Sequence, residues 1–439
     1  MIHQWMGRAL LADEMGLGKT LQALYWCFKT KKARPIVVVC PASLKYNWER
    51  EASHHVSMVC EILEGQRPPK RMPTIVPPIL IINYEILQYW VPFLKKIGVK
   101  VVIIDECHYI KNRRSKRYKA VKALCEGVEH VIALSGTPLT NRPAELWPTL
   151  SIIRPDKFKS FFKFAFKYCK PQKLPWGWVY NGAKNLDELH EKLSRLCMIR
   201  RLKKDVLKEL PRKVRKVIPV SLTNRKEYEE AANNFINWLG RISPEKARKA
   251  KKSEALVMVG YLLRLCAKLK VAYVNDWIDN FLESSEGKLV VFTCHRKMID
   301  LLHERYGKAS VIVDGRVTGK HRQKAVDRFQ RDPRIRIFLG NVRAAGVGLT
   351  LTAANVCVFT DLPWTPGELV QGEDRIHRIG QKSEATIYYL VARDTIEEKL
   401  CRILQEKQSI LEEILDGTGS GDNLDIFNEL LKTIKRKAA

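Results

Sequence analysis

The sequence predicts an α/β protein with two parallel sheets, each in a lobe of its own. A chain of 439 residues is too long for one ordinary hydrophobic core, so two or more packed units are expected. Short runs rich in Val and Ile, which are typical of buried parallel strands, form two separate groups. The first group lies at 36–40, 79–83, 101–105 and 131–136, and the second begins after residue 285.

The segments between and after these groups have helical patterns. The second group consists of KLVVFT, VIVDG, IRIFLGN, NVCVFTDL and ATIYYLVA, and each gap can hold a crossover helix. A polar, basic stretch at 241–255 indicates an exposed linker between helices. From Thr395 onward we expect an amphipathic helix that ends at Gly417, before a loop. The predicted organisation is a first lobe at 1–150, a helical insertion at 151–270, a second lobe at 271–394 and a C-terminal helical brace or tail at 395–439.

The charge balance indicates a polyanionic partner. Lys and Arg number 77 and Asp and Glu 47, a formal net charge of +30 spread through the chain; the alternative is a basic surface that is merely solvated. The 11 cysteines include no C-x-x-C pair, which favours reduced thiols and argues against structural zinc. Neither a membrane span nor a signal peptide is visible. We expect an intracellular protein, cytoplasmic in a prokaryote or virus and nuclear in a eukaryote.

Residues 11–20, LADEMGLGKT, have the composition of a phosphate-binding loop that leads into a helix. Gly16 and Gly18 let backbone N–H groups approach phosphate oxygens, Lys19 adds a positive charge, and Thr20 offers a hydroxyl to Mg²⁺. The full pattern has glycine where Asp13 stands, so the match is partial and a chance Gly-Lys-Thr turn is the alternative. The residues predicted to contact ATP in this loop are Asp13, Glu14, Met15, Gly16, Leu17, Gly18, Lys19 and Thr20.

Two carboxylates follow the strand VVIID, at the end of the sheet where ligands of open α/β folds bind. Asp105 can hold Mg²⁺, and Glu106 can orient and deprotonate the water that attacks the γ-phosphate. The alternative is that both are simply solvated. We expect His108, beside them, to make polar contacts and not to bind a metal.

A third candidate group lies in the second lobe, where QGEDRIHRIGQ spans 371–381. Arg375 and Arg378 are three residues apart, on neighbouring positions of a predicted helical turn. Arginines from a second lobe can stabilise charge on a transferring phosphoryl group, so both are candidate catalytic residues. A surface ion pair is the alternative, more for Arg375 than for Arg378. His377, like His108, is expected to make polar contacts.

Two further segments allow two interpretations each. DKFKSFFKFAFKYCK at 156–170 alternates Lys with Phe, a composition that can stack on bases while neutralising phosphates. The helical spacing of Phe158, Phe161, Phe162 and Ala165 favours a buried stripe with solvated lysines instead. The string RRLKKDV at 200–206 is interpreted as a DNA track, as a brace that holds the lobes in register, or as both.

In this order, LLADEMGLGKT, VVVCPASLKYNWERE, DECHYIKN, LSGTPLTNRPAELW, AAGVGLTLTAA and QGEDRIHRIGQ closely resemble the Swi/Snf family of superfamily II over nearly the whole chain. The strings P-W-G-W and R-R-L-K-x-D-V-L-x-x-L-P resemble its annealing-helicase, or HARP-like, branch. The resemblance implies two RecA-like lobes of the P-loop NTPase type and ATP-driven movement along double-stranded or branched DNA. It also implies reannealing or fork remodelling, ATP and Mg²⁺ as cofactors, and a monomer.

The resemblance assigns further site residues. In the first lobe, the strand-gripping positions are Pro41, Ser43, Leu44, Asn83 and Tyr84, and the coupling segment is Ser135, Gly136 and Thr137. In the second lobe, Gly346, Gly348 and Thr350 match the motif that reaches DNA and nucleotide, and Gln371, Asp374, Arg375, Arg378 and Gln381 match the last motif, with Gln371 expected at ATP. Trp364 corresponds to a tryptophan that couples hydrolysis to movement, although this chain reads W-T-P where many members read W-N-P.

One family feature is missing. Members carry a glutamine motif roughly thirty residues before the phosphate-loop lysine, and only 18 residues precede Lys19. Either the chain is part of a longer product or another segment supplies the adenine contacts. The alternatives to a remodelling translocase are a motor that displaces proteins from DNA, a DNA-binding module with a degenerate ATPase and an RNA helicase.

Overall fold

The structure is a computed structural model that describes residues 2–30, 32–139, 141–175, 177–233, 254–317, 319–345 and 348–417. The chain divides into two compact units. The first comprises Met1–Glu209 and Lys407–Gly421, and the second comprises Leu210–Glu406 and Asp422–Ala439. The segment predicted as one helical insertion is therefore divided between the two units.

The first unit contains a seven-stranded parallel sheet in the order β3-β4-β2-β5-β6-β1-β9. Its strands, with the small hairpin β7–β8, are β1 Arg8–Leu11, β2 Ile36–Cys40, β3 Cys60–Ile62, β4 Ile79–Asn83, β5 Val101–Asp105, β6 His130–Leu134, β7 Gln172–Leu174, β8 Gly177–Val179 and β9 Met198–Ile199. Its helices are α1 Lys19–Lys29, α2 Lys45–Val56, α3 Leu87–Ile97, α4 Lys116–Cys125, α5 Trp147–Ile153, α6 Phe161–Tyr168, α7 Leu186–Leu196 and α8 Lys203–Val206.

The four apolar runs predicted for this unit are strands β2, β4, β5 and β6, which confirms the prediction. Every residue of β2 and β4 is buried, as expected where helices cover both faces of a parallel sheet. The carboxyl ends of parallel strands lie at one edge of the sheet, and α1 begins there at Lys19, directly after the glycine-rich loop. The candidate site is therefore assembled at this edge.

The second unit contains a six-stranded parallel sheet in the order β10-β15-β14-β11-β13-β12. Its strands are β10 Lys213–Val220, β11 Lys288–Thr293, β12 Ser310–Val313, β13 Ile337–Asn341, β14 Ala354–Phe359 and β15 Ala385–Ala392. Its helices are α9 Arg225–Asn233, α10 Glu254–Leu269, α11 Val271–Ser284, α12 Arg296–Tyr306, α13 Gly319–Arg331, α14 Val342–Ala345 and α15 Pro366–Glu373, and the chain then enters α16, Ile396–Asp416.

Five of these strands are the predicted runs, but β10 lies in the segment predicted to be helical. It reads KVRKVIPV, is only partly buried and pairs along its whole length with β15 at the edge of the sheet. Its lysines and arginine interrupt the apolar run by which a buried strand is recognised. A basic edge strand of this kind is recognised from the strand with which it pairs and not from its own sequence.

The C-terminal pattern forms helix α16, which ends before Gly417, where φ is 69°, as predicted. Leu400 and Leu404 belong to the core of the second unit, whereas Leu411 and Ile414 belong to the core of the first. The predicted loop after Gly417, and the predicted linker at 241–255 except its last two residues, lie outside the described residues.

All 11 cysteines are free, and most are buried. Among the residues that the structure describes, no helix combines the length and apolarity needed to cross a membrane. The same residues contain no cluster of three or more His, Cys, Asp or Glu side chains that could hold a metal ion.

Candidate nucleotide-binding site

The loop between β1 and α1 is folded around the ammonium group of Lys19. The Lys19 Nζ donates hydrogen bonds to the carbonyl oxygens of Asp13, at 2.6 Å, and Glu14, at 2.9 Å. Gly16 and Gly18 have φ of 86° and 68°, in the left-handed region that glycine adopts without steric cost. Burial lowers the pKa of Lys19 to about 8, against the opposing attraction of Glu106 and Asp13. The predicted phosphate loop therefore has the backbone for which its glycines are needed.

The two predicted carboxylates lie at the end of β5. The indole Nε1 of Trp48 donates to one oxygen of Asp105 at 2.7 Å, and the backbone N–H of Glu106 donates to the other at 2.9 Å. Burial, and then repulsion by Glu106, raise the pKa of Asp105 to about 7. Glu106 has φ of 48°, a left-handed conformation that is uncommon outside glycine and that tends to occur at functional sites.

The predicted coupling segment contacts both parts of this site. The hydroxyl of Ser135 donates to the Glu106 carboxylate at 3.4 Å and lies 3.1 Å from Nδ1 of His108. A Cβ added to Gly136 would lie 2.5 Å from Cγ of Met15 and 3.4 Å from Nζ of Lys19. The segment therefore packs against the phosphate loop on one side and the acidic pair on the other.

His108 makes the polar contacts that the sequence predicts. Its Nδ1 is 3.4 Å from a carboxylate oxygen of Glu106 as well as within hydrogen-bond distance of Ser135. Burial lowers the pKa of His108 to about 4, so the imidazole is neutral at pH 7. A neutral ring at this place helps to orient Glu106 without a charge of its own.

Two arginines after β9 complete the floor of the site, and the sequence did not identify their partners. Arg200 Nη1 donates to the carbonyl oxygens of Ala12, at 2.8 Å, and Gly136, at 3.3 Å, and its Nε donates to Asp416 at 2.7 Å. Arg201 Nε donates to the carboxylate of Asp13 at 3.1 Å. These partners are up to 216 residues away in sequence, so no local spacing could indicate them.

The predicted strand-gripping residues of the first unit differ in exposure. Ser43 is exposed, whereas Pro41 and Leu44 are buried. Tyr84 is 2% exposed, and its hydroxyl donates to the carbonyl oxygen of Asp105 at 2.6 Å. The observed role of Tyr84 is therefore to support the strand end that carries the carboxylates. Asn83, also buried, donates through its amide to Glu85 at 2.7 Å.

In the second unit, Arg375 and Arg378 both donate to the carbonyl oxygen of Leu349, each at 3.1 Å. Helix α15 ends at Glu373, and both arginines lie in the turns that follow it. The prediction that they lie within a helix is therefore wrong. They converge because both reach the same backbone oxygen. Arg375 is 6% exposed, which contradicts the alternative that it forms a surface ion pair.

A buried charge cluster fixes the turn that carries these arginines. The Glu373 carboxylate accepts hydrogen bonds from Lys213 at 2.8 Å, Arg215 at 2.7 Å and the hydroxyl of Tyr389. Burial opposes ionisation of Glu373, but the two cations on β10 outweigh it and hold its pKa well below the usual range. The edge strand that the sequence did not reveal thus anchors the last motif.

The other predicted residues of this unit lie around the same turn. His377 Nε2 lies 2.8 Å from the carbonyl oxygen of Pro211, a polar contact as predicted, and Gln381 donates to the carbonyl oxygen of Ala354 at 2.8 Å. Gln371 and Asp374 are buried, Thr350 is partly buried, and Gly348 and Trp364 are exposed. Gly346 lies outside the described residues.

A parallel sheet with a glycine-rich loop, its lysine and two strand-end carboxylates at one edge defines a P-loop nucleotide-binding protein, here with a second parallel-sheet unit. The family model of the SNF2-related domain matches residues 1–270, and that of the helicase conserved C-terminal domain matches residues 270–380. The chain belongs to the SNF2-related family of helicase-like ATPases, as its motifs predict.

Curated relatives match almost all of this chain. The SWI/SNF-related matrix-associated actin-dependent regulator of chromatin subfamily A-like protein 1 of Xenopus laevis is 37% identical over 92% of this chain and 42% of its own length. The human DNA annealing helicase and endonuclease ZRANB3 is 34% identical over 94% of this chain and 39% of its own length. The chain thus spans about two fifths of the length of these relatives.

Among solved structures, the chain is similar to the Sulfolobus solfataricus SWI2/SNF2 ATPase core in complex with dsDNA. The sequence identity is 26% and the TM-score 0.44, over 98% of this chain and 94% of that chain.

Proposed function

We propose that this chain is an ATP-dependent translocase on double-stranded DNA that couples ATP hydrolysis to reannealing or to remodelling of forks and branches. The observation that supports it best is the convergence of Lys19, Asp105, Glu106 and Ser135 at one edge of the first sheet, in a chain of the SNF2-related family. The name of the human relative, an annealing helicase, supports the choice of substrate.

The first unit contains the groups that ATP hydrolysis needs. In this proposal, Lys19 exchanges its two carbonyl partners for phosphate oxygens of ATP, because a charged acceptor binds an ammonium group more strongly than a neutral carbonyl does. Asp105 and Thr20 offer hard oxygen donors, which suit Mg²⁺, and the bound cation would neutralise phosphate charge. Asp13, at the base of the loop, stays paired with Arg201.

Glu106 is the proposed general base for the attacking water. Its carboxylate is oriented by the hydroxyl of Ser135 and the ring of His108, both within 3.4 Å. Because Ser135 belongs to the segment that also packs on the phosphate loop, a shift of this segment would move the base relative to the phosphates. This is a physical route by which bound DNA can control hydrolysis.

The remaining predicted residues are proposed contributors. Ser43 has the exposure that a DNA-backbone contact requires. Arg375 and Arg378 are proposed to stabilise phosphoryl charge, and Gln371 to contact the nucleotide. The net charge of +30 favours a phosphate backbone as partner. The proposed DNA contacts and coupling residues of the second unit are Gly346, Gly348, Thr350 and Trp364.

The test is ATP hydrolysis at saturating Mg²⁺, with and without forked DNA, for the chain and for Glu106→Gln. We expect stimulation by DNA, and a loss of turnover of about 10²- to 10⁴-fold in the variant because the general base is gone. ATP binding should remain, since the variant keeps Lys19 and the loop. The proposal would be contradicted if the rate of ATP hydrolysis were the same with and without forked DNA. It would also be contradicted if Glu106→Gln hydrolysed ATP as fast as the unmodified chain.

Two further assays separate the alternatives. Regression of a model fork, compared with displacement of a protein bound to a linear duplex, distinguishes DNA remodelling from protein removal. Stimulation by duplex RNA at the level of duplex DNA would favour an RNA helicase. DNA binding without any hydrolysis would favour a binding module.

A further inference from the structure

An exposed group of aromatic rings lies on the first unit, outside the nucleotide site. Phe162 and Phe166 are on one face of α6, four residues apart, and Trp178 is on the adjacent hairpin strand β8. The Phe166 and Trp178 rings meet edge to face with centroids 5.1 Å apart. Tyr180 lies within 6.5 Å of both phenylalanines. We call Phe162, Phe166 and Trp178, supported by Tyr180, the aromatic patch.

The patch is unusual because its large rings face solvent. Phe162 is 55% exposed, Phe166 45% and Trp178 47%. The sequence predicts a buried stripe that includes Phe162, and for that residue the prediction is wrong. The stripe that α6 buries is Phe164, Ala165 and Tyr168. A cluster of exposed rings of this kind marks a binding surface more often than isolated apolar residues do.

The surroundings of the patch are positively charged. Lys159, Lys163, Lys170 and Lys173 are all exposed, and none of them forms an ion pair with another residue of the described ranges. Lys167, on the same helix, is paired with Glu188. Exposed π faces bordered by unpaired ammonium groups are complementary to unpaired bases and their phosphates. They are less suited to an apolar protein partner, which would leave the lysines without counter-charges.

The patch is also connected to the acidic pair by a short segment. The guanidinium of Arg113 lies 4.2 Å above the ring of Phe161, which meets the Phe162 ring at 5.8 Å. Arg113 is seven residues after Glu106 and follows the 3-10 turn Cys107–Ile110. A ligand on the patch can therefore act on the segment that carries the general base.

We propose that the aromatic patch binds unpaired DNA bases by stacking, with the surrounding lysines on the sugar–phosphate backbone. This deepens the proposed function, on which its biological meaning rests, because a fork or branch presents unpaired bases that a continuous duplex lacks. The site is distinct from the duplex-tracking residues and selects the structure of the DNA. Stacking tolerates any base, so no sequence preference is expected.

The first test measures binding of the full chain to an oligothymidine of about 20 nucleotides and to a blunt duplex of equal length, by fluorescence anisotropy. Phe166→Ala with Trp178→Ala should weaken binding to the single strand at least tenfold, since each stacked base lost costs about that factor. Binding to the duplex should change less than twofold. Phe166→Tyr with Trp178→Phe keeps the π faces and should restore single-strand binding.

Controls separate stacking from damage to the fold. Tyr89→Ala removes another exposed ring of the same unit and should leave both affinities unchanged. Lys163→Gln with Lys170→Gln should reduce the salt dependence of single-strand binding, whereas the aromatic variant should keep it. An equal loss on duplex and single strand, or no loss on either, would overturn the proposal. So would single-strand binding that is unchanged while the double alanine variant loses a copurifying protein.

The outcome can be distinguished from that of the proposed function. ATP hydrolysis stimulated by blunt duplex is measured on the same proteins and should be unaffected by the double alanine variant. Stimulation by a fork with single-stranded arms should fall towards the blunt-duplex level. If the chain hydrolyses no ATP but the double alanine variant still loses single-strand binding, the proposed function is wrong and the proposal that the aromatic patch binds unpaired bases is supported. If the chain shows DNA-stimulated ATP hydrolysis but the double alanine variant binds single strands as before, the proposed function is supported and the proposal for the aromatic patch is wrong.

Discussion

Arg200 is the side chain whose removal should show how the floor of the nucleotide site is held together. Its guanidinium contacts the carbonyl oxygens of Ala12 and Gly136 and the carboxylate of Asp416, and the side chains of Arg200 and Asp416 are only 13% and 10% exposed. Arg200→Ala leaves the carboxylate without this partner and one well-placed carbonyl bond unmade. We expect a loss of about 3–4 kcal/mol in the free energy of unfolding.

The comparison with Asp416→Ala shows how much of the loss in the free energy of unfolding comes from the ion pair and how much from the carbonyl contacts. That variant removes the ion pair but leaves Arg200 with Ala12 and Gly136, so it should cost about 2 kcal/mol. The double variant should cost little more than Arg200→Ala, with a coupling energy of about 1–2 kcal/mol. Because the carbonyl oxygens of Ala12 and Gly136 lose their donor only when Arg200 is removed, ATP affinity should fall about tenfold in Arg200→Ala and in the double variant, but not in Asp416→Ala.

Urea denaturation and binding of a fluorescent ATP analogue measure both quantities. Arg195→Ala removes an exposed arginine of the same unit and should change stability by less than about 0.5 kcal/mol. The reasoning would be refuted if Arg200→Ala and Asp416→Ala were equally costly and bound ATP equally well. In that case the carbonyl contacts would contribute nothing.

Two further predictions concern the same site. Asp105→Asn should raise the free energy of unfolding by about 3 kcal/mol near pH 8. A folded-state pKa raised from 3.8 to about 7 makes the charged carboxylate destabilising by about 4 kcal/mol, and the amide, which has one acceptor oxygen, loses one of the two hydrogen bonds that Asp105 accepts, at a cost of about 1 kcal/mol. The gain should vanish below about pH 4, where the aspartate is protonated in both states, and a gain independent of pH in urea denaturation would contradict the assignment. Gly136→Ala should weaken ATP binding about tenfold and stability by about 1–2 kcal/mol, since its Cβ would displace Met15 and press on Lys19. Gly260→Ala is the control: it lies inside helix α10, where a Cβ meets only a side-chain nitrogen at 3.8 Å, so it should raise stability by about 0.5–1 kcal/mol and leave ATP binding unchanged. An equal loss in both variants would refute the steric argument.

The sequence predicts those parts of the fold that depend on local patterns of apolar residues. The runs that became β2, β4 and β5 are continuous Val and Ile segments, and only strands covered on both faces need that composition. Helix α16 has a helical apolar period and a glycine at its end. By contrast, β10 is a basic edge strand whose assignment depends on pairing with β15.

The aromatic segment shows the same limit at the level of single residues. Helical spacing predicts which positions share a face but not how wide the buried face is. Phe164 and Tyr168 are buried in the core of the first unit, while Phe162 is 55% exposed and contacts the rings of Phe161 and Tyr180. The width of a buried stripe is decided by the neighbouring elements.

Local sequence patterns were enough to predict the residues of the candidate nucleotide site: a lysine after two glycines, and two carboxylates at the end of a buried strand. Lys19 meets Asp13 and Glu14 within six residues, a distance that a single loop closes. The distant groups that complete the candidate site could be identified only from the folded chain. The strand order β5-β6-β1-β9 brings together the segments that carry Glu106, Ser135 and Arg200, because parallel strands place their carboxyl ends at one edge whatever their separation along the chain.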